Sequence, residues 1–600
     1  MFSRFIWVFL LKNCIIVEDK TIIITQKGTY PASEYQQNIF EEVAHGAKNL
    51  VITASAGSAK TSTIENCLRF IPDGKKVLYV AFNKSTVDKL VKEIGKSREG
   101  LEIYTFHGLG VRILKENGIF TKDVEEVDDF KYSRYLKENL LSLTDCGEVE
   151  SLGDLLHDYV DNINRLINYS RYYLKMTERE IGEAAEIYGI VPVRDEYSVV
   201  RKCLIWGKNN TDVIDHTDMI WLPNVLNMTT KYRQYDYIFI DEAQDMTLAR
   251  QGLVDKVFKR GARFFAVGDR KQQINVWCGA TEESLDNYLR RPNTIELTLP
   301  VSYRIPLKVE EIAKKYSPNI TARPGAPEGV IRTDVSANDA QPGDLVLCRM
   351  SSNLIEQYLQ YARDNKNAYL KGYDVYRDEY KKLVEETGAK RIDIHCATKE
   401  GMFTKLYQRF FDETKNLMNK LNIDEDEAFS HPKSVEMLDR IQALKALSAG
   451  LDTTDELIAK INMIFTGEKE NAIQMSTIHK AKGLEAENVY ILAPSLLFNP
   501  QFAKTKWEIE SEKNLAYVAI TRASYSLNFI KEEEHGFYAN LKKGKLRESL
   551  EDVKKRMGYK PSTQVNKIDQ TTIGSNPSET AEKGKKKKKG GLAFVNLMNS

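Results

Sequence analysis

Two short segments carry residue types that could do chemistry, each at the end of an aliphatic run. The first is Asn49-Leu-Val-Ile-Thr53, which leads into Ala54-Ser55-Ala56-Gly57-Ser58-Ala59-Lys60-Thr61 and then a helical stretch from Ser62. A turn at such a strand-to-helix junction aims successive backbone N–H groups and a helix N-terminus at one point, as a polyphosphate requires. Lys60 would neutralise its β/γ oxygens and the Thr61 hydroxyl would ligand magnesium. Ala54 and Ala59 stand where the general pattern has glycine, so on these residues alone an ordinary strand-to-helix turn stays open. The second segment is the strand Tyr237-Ile-Phe-Ile240, ending in Asp241-Glu242-Ala-Gln-Asp245. Its adjacent carboxylates divide naturally, Asp241 to hold magnesium and Glu242 to accept a proton from attacking water. A polyphosphate and Mg2+ are the ligands this pairing predicts.

The elements that position these residues follow from periodicity. Strand-like runs at Asn49 to Ala54, Val77 to Phe82, Tyr237 to Ile240, Arg263 to Val267, Asp344 to Cys348 and Val489 to Leu492 alternate with helical patterns. That alternation predicts an α/β fold with parallel sheets. Between Arg112 and Tyr235 the spacing turns helical, as in Tyr132 to Leu143 and Leu152 to Tyr169, and it does so again from Arg377 to Gly467. From about Leu550 the composition becomes lysine-rich and polar, with a run at Lys585 to Lys589, and predicts a disordered tail.

Composition narrows the function classes. A chain of 600 residues exceeds one compact core, and 86 Lys+Arg against 85 Asp+Glu exclude a uniformly basic coat but not a local basic groove. The seven cysteines form no CxxC pair, which argues against a disulfide framework or structural zinc and for a reducing, intracellular setting. The apolar stretch Phe5 to Leu11 is too short to span a bilayer and reads as a buried strand or a leader; a soluble chain without a membrane segment is expected.

Nine segments, taken in order, resemble the superfamily 1 DNA helicases of the UvrD/Rep group, nearest to the F-box DNA helicase branch. They are Ser33-Glu-Tyr-Gln36; the Ala54–Thr61 loop; Val80-Ala-Phe-Asn-Lys-Ser85; Thr105-Phe-His-Gly108; Asp241–Asp245; Val267-Gly-Asp-Arg-Lys-Gln-Gln-Ile274 with Trp277-Cys-Gly-Ala280; Ser302-Tyr-Arg304; Ser476–Glu485; and Tyr517–Ala523. The resemblance implies two RecA-like parallel-sheet domains, each with a helical insertion, with ATP as the nucleotide bound in the cleft between them and Mg2+ as its metal. Its boundaries would be 24–111 with 231–299 for the first domain, 112–230 for its insertion, 300–376 with 468–535 for the second, 377–467 for its insertion, and 550–600 for the tail.

The resemblance also implies residue roles. Gln36 would read the adenine edge and Tyr303 would stack on its face. Gln272 would sense the γ-phosphate or place the attacking water, while Arg304 and Arg522, from the far domain, would stabilise charge on the transferring phosphoryl group. Glu485 would contact the nucleotide. Phe82, Asn83, His107, Trp277, Thr477 and His479 would line a single-strand DNA track, with core packing an equal reading for Phe82. Asn275 and Cys278 depart from the aromatic and arginine that flank this tryptophan in many relatives.

The expected activity is 3′-to-5′ translocation on single-stranded DNA with duplex unwinding, in the cytoplasm, by a monomer acting at duplex junctions. Protein stripping and a nucleotide-gated scaffold with weak turnover are the alternatives. The tail would attract DNA, dock a protein partner or simply solubilise the chain.

Overall fold

Runs of apolar residues make the interior strands of a six-stranded sheet. Its members are β1 (Asn49–Ala54), β2 (Val77–Ala81), β3 (Leu101–Thr105), β4 (Tyr235–Ile240), β5 (Phe258–Gly268) and β6 (Thr294–Leu299). In the computed structural model they lie in the order β3-β2-β4-β5-β1-β6, every neighbouring pair parallel. Val51, Leu78, Val80, Ile238 and Ile240 enter one apolar cluster, and Leu50, Ile52, Tyr79, Phe239 and Phe265 another. Successive side chains of a strand alternate between faces, so a sheet covered on both sides needs strands without a polar face. Because all six strands run the same way, the loops after β1, β2, β4 and β5 open at one edge. Those loops begin the segments that hold Lys60, Phe82, Asp241 and Gln272.

The second sheet comprises β7 (Val330–Val335), β8 (Leu345–Cys348), β9 (Ala368–Leu370), β10 (Ile473–Thr477), β11 (Ala486–Leu492) and β12 (Ala523–Ile530). Its order is β7-β12-β11-β8-β10-β9, with β11, β8, β10 and β9 parallel to their neighbours. The fold is α/β with two RecA-like parallel sheets, as expected.

Helices fill the two long intervals. Lys131–Leu143, Leu156–Tyr172, Glu178–Ile187, Glu196–Asn209 and His216–Val225 share a core with the first sheet. A buried ion network pins three of these helices: Arg171 lies 2.6 Å from Asp215 and 3.0 Å from Asp218, and Lys131 lies 2.7 Å from Asp218. Lys399–Leu421, Pro432–Leu447 and Thr454–Ile464 pack against the second sheet. The helix Lys545–Met557 buries Leu550 in that core, so residues 550–557, assigned to the tail on composition, are ordered helix. One apolar side chain per turn suffices to dock a helix that is otherwise charged.

The structure describes residues 21–557 apart from 26–27, 95–98, 120–126, 145–155, 193, 231–233, 275–278, 280–282, 372–376, 378–379, 382, 385–397, 422, 430, 466–468, 498–505 and 532–544. The N-terminal apolar stretch, the lysine run and the Asn275–Cys278 segment lie outside these residues. The described residues fall into two compact units, one within Met1–Val330 and Thr505–Ser526, the other within Ile331–Lys504 and Leu527–Ser600. Among the described residues, no helix is long and apolar enough to cross a membrane.

Candidate nucleotide site

The loop between β1 and the helix Lys60–Cys67 reverses through two left-handed residues, Gly57 at φ +72° and Ala59 at φ +59°. The turn is therefore the one a phosphate loop needs, with alanine held where glycine would be at ease. An alanine there costs about 1 kcal/mol in backbone strain. Ala59→Gly should accordingly raise unfolding free energy by about that amount and leave phosphate release unchanged or modestly faster, as denaturant melts and steady-state assays would read.

The loop's neighbours come from distant parts of the chain within the same compact unit. The Ser58 hydroxyl is buried and finds no hydrogen-bond partner among the described residues, as suits a donor awaiting an anionic acceptor. The Ala56 N–H donates to the Tyr517 hydroxyl at 3.0 Å, and the Tyr303 N–H donates to the Gly57 carbonyl at 2.9 Å. Ala54, Ser55 and Ala56 are buried, and Lys60, Thr61 and Ser62 are partly exposed.

Lys60 Nζ lies 3.4 Å from Glu242 Oε1, so the loop and the acid segment meet. Glu242 itself sits in the left-handed region at φ +52° and opens a single 3-10 turn, Ala243–Asp245. Gln244 donates to Glu242 Oε2 and accepts the Asp269 N–H at 3.0 Å, which ties the acid segment to the loop after β5. Asp241 is buried, and Tyr79 donates to its Oδ2 at 3.3 Å. Burial and then the Glu242 carboxylate push Asp241 up from 3.8 to about 6, with Lys60 opposing. The folded state thus holds a proton that the unfolded chain releases, so this group's contribution makes stability fall as pH rises from about 4 to about 6. Asp241→Asn should remove that slope and raise the nucleotide-free melting temperature at pH 7.5, while abolishing hydrolysis; melts at pH 5 and 7.5 read it.

The donor set fits magnesium. A buried carboxylate held above its usual range by burial and by Glu242, together with the Thr61 hydroxyl of the phosphate loop, offers two hard oxygens. Among the described residues no group of three or more His, Cys, Asp or Glu could hold a metal by itself, so nucleotide oxygens and water would complete the shell.

Gln272 donates to Asp269 Oδ2 at 2.7 Å and accepts from Arg522 Nη2 at 3.5 Å. Arg522 is 1% exposed and also donates to the Val518 carbonyl at 2.9 Å. Arg304 Nη1 donates to the Thr521 carbonyl at 3.2 Å. Both arginines belong to the compact unit that contains Lys60. The helix Lys506–Ile520 joins that unit through Lys271–Glu510 at 2.5 Å and through Asn514 Nδ2, which donates to the Gln273 carbonyl at 3.0 Å.

Gln36 is 1% exposed and bonded through both ends of its amide: its Nε2 donates to Thr63 Oγ1 at 2.9 Å, while its Oε1 accepts from the Ser33 N–H and the Tyr303 hydroxyl. At that burial a base edge could reach it only after the side chain shifts. Tyr303 keeps 40% exposure, enough to offer a ring face.

Of the residues expected along a DNA track, Phe82, Asn83 and His107 lie in this unit. Phe82 packs on the core, with the Arg250 guanidinium 4.6 Å from its ring centroid, and Asn83 is exposed. Burial, then Arg250 and His216, push His107 down to about 4, so it is neutral at pH 7. Trp277 lies outside the described residues. Glu485, exposed, and Thr477, buried at the end of β10, are in the second unit with His479, which burial and Arg349 push down to about 3.

Sequence reasoning placed Ser58 in the phosphate loop but missed Tyr517 and Tyr79 as parts of this site. Tyr517 was within a recognised segment, and its aromatic next to a run of small apolar residues was the available signal. Nothing in the sequence pointed to Tyr79.

A model of the UvrD/REP helicase N-terminal domain matches residues 35–293, and one of the UvrD-like helicase C-terminal domain matches residues 350–534. The ATP-dependent DNA helicase Rep of Salmonella typhimurium is 23% identical over 624 positions, spanning 82% of this chain and 90% of its own. Rep of Escherichia coli is 28% identical over 258 positions, 39% of this chain and 36% of its own. The ATP-dependent DNA helicase PcrA of Bacillus subtilis is 23% identical over 612 positions, 80% of each chain.

Proposed function

Because the chain belongs to the UvrD/Rep group of superfamily 1 helicases, we propose that it is an ATP-dependent DNA helicase that moves 3′ to 5′ along single strands and separates duplexes. On the resemblance of its motifs we read it as nearest the F-box helicase branch, and as a monomer working in the cytoplasm. The observation that carries the reading is the meeting of Lys60 with Glu242 at 3.4 Å beside a chain of contacts from Asp269 through Gln272 to Arg522.

In the proposed reaction the Ala54–Thr61 loop cradles the triphosphate and Lys60 leaves Glu242 for the β/γ oxygens. Glu242, released, takes the proton of the attacking water, and Gln272 orients that water. Thr61 and Asp241 would hold magnesium, which when bound neutralises charge on the phosphate oxygens. Arg304 and Arg522 supply positive charge as the phosphoryl group transfers. By the same family resemblance Tyr303 is assigned to the face of the base and Gln36, once its side chain shifts, to its edge, Glu485 to the nucleotide, and Phe82, Asn83, His107, Trp277, Thr477 and His479 to the strand. The left-handed Ala59 supports turnover over a silent scaffold, since the loop already holds the backbone shape that glycine would give it.

Duplexes with a 3′ or a 5′ single-stranded tail test the reading. ATP-dependent unwinding of the 3′-tailed substrate alone is expected. Unwinding from the 5′ tail would overturn the polarity, and DNA-stimulated hydrolysis with no unwinding of either would favour protein displacement.

A further inference from the structure

Arg250 belongs to neither group of residues named above, yet it touches both. It lies in the helix Leu248–Asp255, whose first turn is capped by the Thr247 hydroxyl accepting the Arg250 N–H at 3.2 Å. Its side chain is turned inward, and the residue is 6% exposed. Nη1 donates to the Asp245 carbonyl at 2.9 Å, at the end of the 3-10 turn that starts from Glu242. The same guanidinium lies over the Phe82 ring at 4.6 Å from its centroid. A planar cation held against an aromatic face and out of water is sensitive to what else that ring meets.

The two ends of this contact are also tied through the sheet, where the Asp241 N–H donates to the Val80 carbonyl at 3.0 Å and Tyr79 donates to Asp241. Moving the guanidinium would pull on the Ala243–Asp245 turn, which contains Gln244 and through it holds Glu242 and the Asp269 N–H. His107, assigned with Phe82 and Asn83 to the strand, packs edge-on against His216 at 5.9 Å, and His216 pairs with Asp129 at 2.7 Å. Arg250 and His216 oppose a proton on His107, while Asp129 favours one.

We propose that Arg250 is a positioning residue that transmits occupancy of the Phe82–His107 surface by a DNA strand to the Asp241–Glu242 pair. The inference rests on the helicase reading above. Arg250 meets no nucleotide oxygen in this role; it acts through Asp245 and Phe82.

The test measures phosphate release with and without an oligo-thymidine strand for the wild-type chain, Arg250→Gln and Arg250→Lys, together with the His107 pKa by NMR. In Arg250→Gln the ratio of stimulated to basal rate should fall about tenfold, with the basal rate within about twofold of wild type. His107 should titrate higher than about 4 in that variant, because a neighbouring cation is gone. Arg250→Lys keeps the charge without the planar fork, so it should hold the His107 pKa down and lose only about threefold in the ratio. A folded Arg250→Gln with the wild-type ratio overturns the inference. Should Arg250→Gln fail to fold, Arg250→Lys decides, a wild-type ratio overturning the inference and a reduced one supporting it. A wild-type chain with no DNA stimulation at all overturns the helicase reading instead, and this coupling with it.

Discussion

Lys60→Ala and Glu242→Gln should each lower DNA-stimulated phosphate release by at least about a hundredfold, but for different reasons that nucleotide binding separates. Lys60→Ala removes the cation meant for the β/γ oxygens, so affinity for the triphosphate should fall with the rate. Glu242→Gln removes the proton acceptor and also frees Lys60 from the carboxylate 3.4 Å away. Its nucleotide affinity should be unchanged or tighter, with turnover lost. Fluorescent-nucleotide titration beside a phosphate-release assay reads both quantities. Intact hydrolysis by Glu242→Gln would show that another group takes the proton.

Gly57→Ala should be the most damaging single methyl in the phosphate loop. At φ +72° the backbone already disfavours any side chain, and a Cβ there would come within 2.7 Å of both Arg304 Cβ and Ser302 Oγ. Neither is the far end of a flexible side chain, so relief requires the Ser302–Arg304 segment to retreat. That would break the bond from the Tyr303 N–H to the Gly57 carbonyl. A loss on the order of 2–4 kcal/mol follows from the strain and the overpacking together. Gly74 is the control: its φ is +74°, but a Cβ there meets nothing within 4 Å. Gly74→Ala should therefore show the backbone cost alone, about 1 kcal/mol. Denaturant melts of the two variants compare them directly, and equal losses would mean that the Ser302–Arg304 segment does not rest on the loop.

The local chemistry of the site was legible because it is written in contiguous residues. An aliphatic strand, a run of small residues and Lys60-Thr61 specify a strand, a turn and a helix start by near-neighbour geometry alone, and Asp241-Glu242 after Tyr237–Ile240 does the same. The two helical intervals were legible too, since a 3.6-residue period needs no partner to be seen.

What escaped the sequence depends on residues far apart in it. The Tyr517 hydroxyl reaches the Ala56 N–H across 461 positions, and only the packing of the helix Lys506–Ile520 brings them together. The backbone angle at Ala59 was likewise invisible, because alanine prefers the right-handed region and is held in the left-handed one by the loop on either side. Gln36 read as a reader of the adenine edge, whereas folding also supplies Thr63, Ser33 and Tyr303 as its partners. Residue types and their order thus determined which chemistry the chain carries. The tertiary structure alone decided which groups share a charge, a hydrogen bond or a ring face, because those energies depend on distances of a few ångströms that chain order does not encode.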